Sequence, residues 1–143
     1  MQGSGDDGAA LVAQLEPLSS TLVRAANRVI EPAAITSTQK QLLLELVDSG
    51  PLRLGALAER VGATAPTTSR AVDGLVAAKL VKRQPDPNDR RAVLHVASPR
   101  GEAWVERRRA VVVAALNDAL SGLSAVERKS LLALTAKLNE QLR

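Results

Sequence analysis

Residues 80–101 read LVKRQPDPNDRRAVLHVASPRG, and this stretch decides the fold. Two β-prone runs, 80–83 and 91–97, flank residues 84–89, which are rich in turn formers. Alternation in the second run predicts an inward face of Ala92, Leu94 and Val96 and an outward face of Arg91, Val93 and His95. The segment therefore predicts a β-hairpin whose tip carries adjacent arginines.

Two short helices are predicted immediately before this hairpin. The first, over residues 54–61, ends at Gly62, and its inner face comprises Leu54, Leu57, Ala58 and Val61. Thr64 caps the second, over residues 65–78, with Pro66 in the first turn, where a missing N–H costs nothing. Helices joined by so short a turn predict a helix-turn-helix. A hairpin that directly follows such a pair is a wing.

Longer helices are predicted on both sides of this core. Residues 9–30 carry leucines at helical spacing, with Pro17 expected to kink the helix or start a second segment, and Pro32 ending it. Capping boxes at Thr36 and Ser124 open two more helices. The last of these has a stripe of Leu131, Leu134, Leu138 and Leu142.

The predicted fold class is mainly α with a small β-hairpin wing: a winged helix-turn-helix flanked by N- and C-terminal dimerisation helices. We expect a disordered tail at 1–8, a dimerisation helix at 9–35, a winged DNA-binding domain at 36–98 and two dimerisation helices at 99–143. The terminal helices are more apolar than a compact winged domain needs, which favours a dimer interface. A monomer with a helical cap is the alternative.

Positive charge is concentrated in the middle of the chain. The 143 residues have a net charge of +4, but residues 53–100 contain nine bases and four acids, which gives +5. The remaining residues contain ten bases and eleven acids. Such a localised excess is typical of a phosphate-binding surface. A solvated basic surface is the alternative.

Composition excludes several other function classes. Without Cys, the chain has no disulfide framework, thiolate zinc site or thiol redox sensor, and a single His cannot supply paired imidazoles to zinc. The absence of Phe and Tyr removes the usual platforms for stacking single strands. No apolar run is long enough to span a bilayer, and the acidic, Gly-rich N-terminus is unlike a signal peptide. We expect a soluble, cytoplasmic domain without a cofactor.

The helical wheel of residues 65–78 separates a core face from an outer face. The outer face carries Thr67, Arg70 and Gly74, with Pro66 at its edge. A base-reading helix meets DNA with the outer face of its N-terminal end. The candidate contacts on this helix are therefore Thr64, Pro66, Thr67, Ser69 and Arg70. Arg70 is the strongest, because its guanidinium can bind guanine or clamp a phosphate. An ion pair with Asp73 is the alternative.

The wing supplies the remaining candidate contacts. Asp89 lies two residues before Arg91 and is predicted to pair with it, which would hold Arg91 extended for insertion into a narrow minor groove. Arg90 would lie along the DNA backbone, and Lys82 and Arg83 would add non-specific attraction to phosphate. A solvated turn with a local ion pair is the alternative.

The sequence resembles the multiple-antibiotic-resistance regulator (MarR) family of bacterial transcription factors. The resemblance rests on residues 80–83, 87–94 and 98–101, with Leu57-Ala58-Glu59-Arg60-Val61-Gly62 and Thr67-Thr68-Ser69-Arg70 matching the helix-turn-helix. It implies a homodimer that binds a pseudo-palindromic double-stranded operator, most often as a repressor. Arg91 takes the position of the family's minor-groove arginine, with Asp89 as its partner.

The resemblance also implies a small-molecule ligand, and the sequence departs from the family pattern in two ways. Family members often bind small aromatic acids, and Arg24 and Arg28 are the candidates here to hold a carboxylate. Lys79 stands where the family usually has Gly, so the preceding helix is expected to end differently. Ala65 and Gly74 stand where longer polar side chains are common, which predicts modest base-specific readout.

The leading hypothesis is a dimeric, sequence-selective regulator that binds duplex DNA. The alternative function is a helical protein–protein adaptor whose winged fold does not bind DNA. An enzyme is not expected, because the sequence contains no paired carboxylates, nucleophile–base set or phosphate loop.

Overall fold

The computed structural model describes residues 4–29 and 35–142. Their elements follow one another along the chain as α1 (Ser4–Val29), α2 (Ser37–Ser49), β1 (Leu52–Arg53), α3 (Leu54–Val61), α4 (Ala65–Ala77), β2 (Val81–Asp86), β3 (Asp89–Ala97), α5 (Pro99–Leu120) and α6 (Ala125–Gln141). The strands form one antiparallel sheet in the order β1-β3-β2. The mainly α fold with a small wing is thereby confirmed.

The chain divides into two compact units. We call Arg28–Arg109 the winged unit, and Met1–Asn27 with Ala110–Arg143 the helical unit. Helix α5 begins in the winged unit and continues into the helical unit. Because its first turns belong to the winged unit, that unit extends beyond residue 98, where the sequence places the end of the DNA-binding domain.

Local capping residues set the helix ends of the winged unit. The Thr36 hydroxyl accepts the Gln39 N–H at 3.2 Å, and the Gln39 amide oxygen accepts the Thr36 N–H at 2.8 Å, so the predicted capping box is confirmed. Helix α3 ends at Gly62, whose φ of +66° lies in the left-handed region that favours glycine. Helix α4 begins at its predicted cap, Thr64.

The core of the winged unit is aliphatic, with one tryptophan. Helices α2, α3 and α4, the base of the sheet and the start of α5 all contribute to it. Its most deeply buried large side chains are Leu42, Leu43, Leu46, Leu57, Val72, Leu75, Leu80, Val81, Trp104 and Val105. Trp104 therefore belongs to the core.

Strand β1 is the element that the sequence analysis missed. Leu52 and Arg53 pair with His95 and Leu94 of β3 and cover its base. As a result His95 is 5% exposed, and the prediction that it faces outward is wrong. At the base of β3 the most buried residues are His95 and Ala97, whereas Leu94 and Val96 are only half-buried. Alternation alone misassigned this end because it treated histidine as a solvent-facing residue.

The junction between α4 and β2 adopts the backbone shape that usually calls for glycine. Lys79 has a φ of +60°, in the left-handed region. The Ser98 hydroxyl donates to the Lys79 carbonyl at 2.7 Å, and the Ser98 N–H donates to the Leu80 carbonyl at 2.9 Å. These bonds hold the turn, so the lysine does not change how the helix ends.

The described part of the helical unit is mostly exposed. Helix α1 begins at Ser4 rather than residue 9, because Asp6 and Asp7 in its first turn suit the positive end of the helix dipole. Residues 4–8, predicted to be tail, are thus helical, while residues 1–3, Ile30 and Pro32 lie outside the described residues. Pro17 lies inside α1 and does not start a separate element.

Helix α6 begins at the predicted capping box, with the Ser124 hydroxyl accepting the Glu127 N–H at 3.3 Å. The leucine stripe of α6 is exposed. None of the helices within residues 4–29 and 35–142 combines the length and apolar character needed to cross a membrane.

Candidate nucleic-acid interface

The N-terminal end of α4 is exposed and held in a fixed shape by its cap. The Thr64 hydroxyl accepts the Thr67 N–H at 3.3 Å and donates to the Thr67 hydroxyl at 2.9 Å, which confirms the predicted cap. Thr64, Pro66 and Thr67 are all exposed, and Ser69 is half-buried. A small polar surface is therefore available at the end of the helix where a base-reading helix meets DNA.

Arg70 lies on the exposed face of α4 and has no ion pair or hydrogen bond among the residues that the structure describes. The alternative pair with Asp73 is not formed, because the Asp73 carboxylate binds the guanidinium of Arg83 on β2 instead. This second pair connects α4 to the wing. Arg70 is therefore free to bind a ligand outside the chain.

Gly74 does not share the exposed face of Arg70, contrary to prediction. A Cβ at this position would overlap the side-chain nitrogen of Gln39, whose amide donates to the Ala71 carbonyl at 3.3 Å. Gly74 therefore allows α2 to approach α4 closely. Its lack of a side chain fits this helix packing, and the modest base-specific readout stays a prediction. Ala65, at the start of α4, is exposed.

The wing is a hairpin with an irregular tip. Residues 81–85 of β2 pair in register with residues 97–93 of β3, but the next pair joins Asp86 to Asp89. Residues 90–92 of β3 therefore have no partner on β2, which makes a bulge. Such bulges turn side chains away from the regular ladder. Here the bulge contains the two arginines, Arg90 and Arg91, and both are exposed.

Asp89 contacts Arg91 in a different way from that predicted. Its Oδ1 accepts the backbone N–H of Arg91 at 3.0 Å, and its Oδ2 lies 3.7 Å from Nη2 of Arg53. Among the described residues, the Arg91 guanidinium forms no ion pair. The predicted Asp89–Arg91 side-chain pair is thus corrected: the carboxylate orients the backbone of Arg91 and leaves its guanidinium free.

A second carboxylate lies on the other side of the turn. Asp86 is nearly buried; its Oδ1 accepts the Asn88 N–H at 2.8 Å, and its Oδ2 accepts Arg53 Nε at 2.7 Å and Nη2 at 2.5 Å. The bond from the Asn88 backbone, followed by that from the Arg53 guanidinium, lowers the pKa of the Asp86 carboxyl. No sequence pattern indicated this role of Arg53, which depends on the unpredicted β1.

The base of the wing contains a buried histidine. Burial lowers the pKa of His95, and the nearby positive charge of Arg83 lowers it further. A backbone hydrogen bond with Leu52 and the negative charge of Asp73 act in the opposite direction, with a smaller total effect. His95 Nδ1 has no hydrogen-bond partner within the described part of the chain. The neutral imidazole is therefore the form that the folded wing favours.

The remaining candidates are also on the surface. Lys82 is exposed on β2, and Arg83 is exposed although its guanidinium is shared with Asp73. The predicted residues of α4 and of the wing therefore all lie in the winged unit, where the Asp73–Arg83 pair connects the two elements. Arg24 and Arg28 are exposed on α1, and Arg24 donates to the Thr21 hydroxyl at 3.2 Å. Their role in holding a carboxylate stays a prediction.

Comparisons with known proteins agree on the fold. A family model described as MarR family matches residues 35–92. The solved structure of RV1404 from Mycobacterium tuberculosis has a TM-score of 0.85 at 26% identity and covers 99% of this chain and 95% of its own. A MarR family protein from Bacillus stearothermophilus has a TM-score of 0.84 at 22% identity, with 97% of each chain covered. No curated protein matches the chain by sequence.

A third similar structure is MepR, a transcription regulator of the Staphylococcus aureus multidrug efflux pump MepA. It has a TM-score of 0.69 at 23% identity and covers 91% of this chain and 96% of its own. The family match falls on the helix-turn-helix and most of the wing, and the structural matches extend over nearly the whole chain. The helix-turn-helix and most of the wing thus match the MarR family model, and the chain has the winged-helix fold of MarR family structures.

Proposed function

We propose that the chain is a homodimeric transcription regulator that binds a pseudo-palindromic duplex operator and represses nearby genes. The observation that carries the proposal is the pair of unengaged arginines, Arg70 on α4 and Arg91 in the wing bulge. Each can bind a guanine edge, a phosphate or a narrow minor groove. Both lie within the segment that carries the positive charge of the chain.

The proposed dimer rests on the helical unit. Large apolar side chains are exposed on α1 and α6, including Leu11, Leu15, Leu18, Leu131, Leu134 and Leu138. Apolar surface of this extent marks an interaction site. A second copy of the chain supplies matching helices and a second α4, and two such helices would read two half-sites about one helical turn apart, or about 34 Å.

Relief by a small ligand is a finer part of the proposal. MepR has been solved with ethidium bromide bound, which shows that a protein of this fold accepts a small molecule. Arg24 and Arg28 suggest an aromatic acid in the present case, because a guanidinium binds a carboxylate well. Adding such acids to the protein–DNA complex tests this part independently of DNA binding.

The main experiment is selection of bound duplexes from a random DNA pool, followed by footprinting and titration at several salt concentrations. We expect two protected half-sites and a steep loss of affinity as salt rises. Arg70→Ala and Arg91→Ala should each weaken binding to the selected duplex at least about tenfold, because in a dimer each removes two contacts, each worth about 1–3 kcal/mol.

Arg109→Ala is the matched control. Arg109 also belongs to the winged unit, but its guanidinium binds Asp48 of α2. Its replacement should leave affinity within about twofold of wild type, since an exposed ion pair contributes little. If the wild-type chain shows no salt-sensitive binding to any duplex, the proposal is wrong and the adaptor alternative is favoured. If both arginine variants bind like wild type, the residue assignment is wrong.

A further inference from the structure

We infer that Arg53 is a positioning residue of the wing, which orders the backbone of Arg91 for insertion into DNA without contacting the bases itself. The inference rests on the proposed function, because it concerns how the wing arginine reaches DNA. Arg53 lies on β1, a two-residue strand at the edge of the sheet. Nothing in the hairpin sequence alone would connect it to the tip.

The geometry connects Arg53 to both sides of the wing turn. Its Nε and Nη2 donate to Asp86 Oδ2, at the end of β2, at 2.7 and 2.5 Å. Its Nη2 also lies 3.7 Å from Asp89 Oδ2, at the start of β3. The other oxygen of Asp89 accepts the Arg91 N–H at 3.0 Å. One guanidinium thus binds the nearly buried Asp86 closely and lies within ion-pair distance of Asp89, which in turn holds the backbone of Arg91.

The bulge makes this connection necessary. Residues 90–92 have no partner on β2, so ladder hydrogen bonds to that strand do not fix their position. The bond from Arg91 N–H to Asp89 is a local substitute for a ladder bond. It can hold Arg91 only while Asp89 itself is held. Arg53 and the turn around Asp86 provide that restraint.

The burial of Asp86 makes the restraint strong. The Asp86 side chain is 7% exposed, whereas that of Arg53 is 49% exposed. A carboxylate so little exposed to water depends on its partner, because loss of the partner leaves a buried charge uncompensated. The turn must then open to hydrate Asp86, and Asp89 is released with it. Order at the tip reduces the conformational entropy lost when a side chain inserts into a groove.

The first test measures amide hydrogen exchange in the full chain without DNA. We expect Arg53→Gln to speed exchange of the Arg91 and Asn88 amides at least about tenfold, since local opening controls exchange. Arg60→Gln is the matched control: Arg60 is 52% exposed and pairs with Glu45 on α2, so its loss should leave these two amides unchanged. Arg53→Lys keeps a charge near Asp86 and should bring both rates back to within about threefold of wild type.

A second variant covers the case in which Arg53→Gln does not fold. The double variant Arg53→Gln/Asp86→Asn removes the buried charge, and the carboxamide oxygen introduced by Asp86→Asn can still accept the Asn88 N–H. It lacks the restraint on Asp89, so exchange at Arg91 should again be at least about tenfold faster than in wild type.

The second test measures binding to the selected duplex at one salt concentration. Arg53→Gln should weaken binding about tenfold. If Arg53→Gln does not fold, the double variant Arg53→Gln/Asp86→Asn should show this loss instead. Adding Arg91→Ala to this change should weaken binding no further than Arg91→Ala does alone, because both remove the same contact. Arg53→Lys should stay within about threefold of wild type. A residue that contacts phosphate independently would give additive losses.

The outcomes separate the inference from the proposed function. If wild type binds no duplex, the proposed function fails and the inference fails with it. If the wild-type chain binds duplex DNA, the inference is overturned when the Arg91 amide exchanges at the wild-type rate in Arg53→Gln and in Arg53→Gln/Asp86→Asn. It is also overturned by additive losses with Arg91→Ala, or by a loss of affinity in Arg53→Lys as large as that in Arg53→Gln.

Discussion

The two compact units differ in where their apolar side chains lie. In the winged unit, most leucines of α2, α3 and α4 are completely or almost completely buried, and Leu44 and Leu54 are half-buried. In the described part of the helical unit, Ala26 alone is buried, while leucines along α1 and α6 are about half exposed. Both units have similar residue types, so composition alone does not determine burial. A core formed within one chain encloses its leucines, and a surface built to meet another molecule leaves them exposed.

The largest effect is expected from breaking the helical unit's apolar surface. Leu134→Asp with Leu138→Asp places two charges on the α6 stripe, which should weaken the proposed dimer by about 4 kcal/mol or more, because apolar burial is lost and charges are desolvated. Sedimentation equilibrium over a range of concentrations measures this change. Ala136→Asp, on the opposite side of α6 and exposed, is the control and should leave the dimer intact. Equal dissociation by both changes would show that the stripe is not the interface.

The second effect tests how tightly the winged unit is packed. A Cβ on Gly101 would overlap the Leu80 carbonyl oxygen and lie 3.1 Å from the Leu80 carbonyl carbon. Because backbone cannot move aside easily, we expect Gly101→Ala to lower the free energy of unfolding by about 3 kcal/mol. Urea denaturation measures the change.

Gly55 in α3 provides the matched control for that change. A Cβ there would meet nothing within 4 Å, so Gly55→Ala should raise the free energy of unfolding by up to about 1 kcal/mol. If Gly101→Ala and Gly55→Ala changed the free energy of unfolding equally, close packing at the start of α5 would not be the cause of the Gly101→Ala effect.

A smaller effect concerns pH. The pKa of His95 is lowered from its ordinary value of 6.5, mainly by burial. The unfolded chain therefore binds a proton more readily than the folded one, so stability is complete above pH 6.5 and falls as pH drops through the lowered pKa of the folded state.

Urea denaturation between pH 7.5 and about 5 measures this dependence. The carboxyls with lowered pKa values, Glu45, Asp86 and Glu127, have ordinary values of 4.5 or less and contribute below this range. In His95→Gln the slope between pH 6.5 and 5 should largely disappear. An unchanged slope would assign it to another group.

The smallest effect concerns Lys79. Its left-handed backbone costs a lysine about 1 kcal/mol that a glycine would not lose, although glycine also has greater freedom in the unfolded chain. Lys79→Gly should therefore change the free energy of unfolding by less than about 1 kcal/mol, in the stabilising direction. Thermal or urea denaturation measures it. A clear destabilisation would mean that the lysine side chain contributes contacts that outweigh the backbone strain.

Sequence predicted best the features that depend on near neighbours. Thr36, Thr64 and Ser124 cap helices where expected, because a cap joins residues only three positions apart. The burial of His95 was missed, because it depends on strand β1. In the Leu52–His95 pair the two residues are 43 positions apart in the sequence. The partner of Asp73 was missed for a similar reason: Arg83 reaches it across the fold, whereas the pattern offered Arg70.

The candidate site was predicted in outline, and its arrangement was not. Arg70, Arg90 and Arg91 are exposed as the sequence indicates. The bulge and the contact between Arg53 and Asp86 depend on how the third strand joins the hairpin, and no pattern within the hairpin contains that information. Side chains were easier to identify than the contacts that orient them.

The wing also has a consequence for solubility at high concentration. Its sheet has two open edges, β1 and β2, and an open edge can pair with a strand of another molecule. Strand β1 covers only Leu94 and His95 of β3. Strand β2 carries Lys82, Arg83 and Pro85, so its edge combines like charges with a residue that cannot donate a ladder hydrogen bond. Lys82 and Arg83, the two basic residues proposed to attract DNA, therefore also oppose the pairing of two wings through their β2 edges.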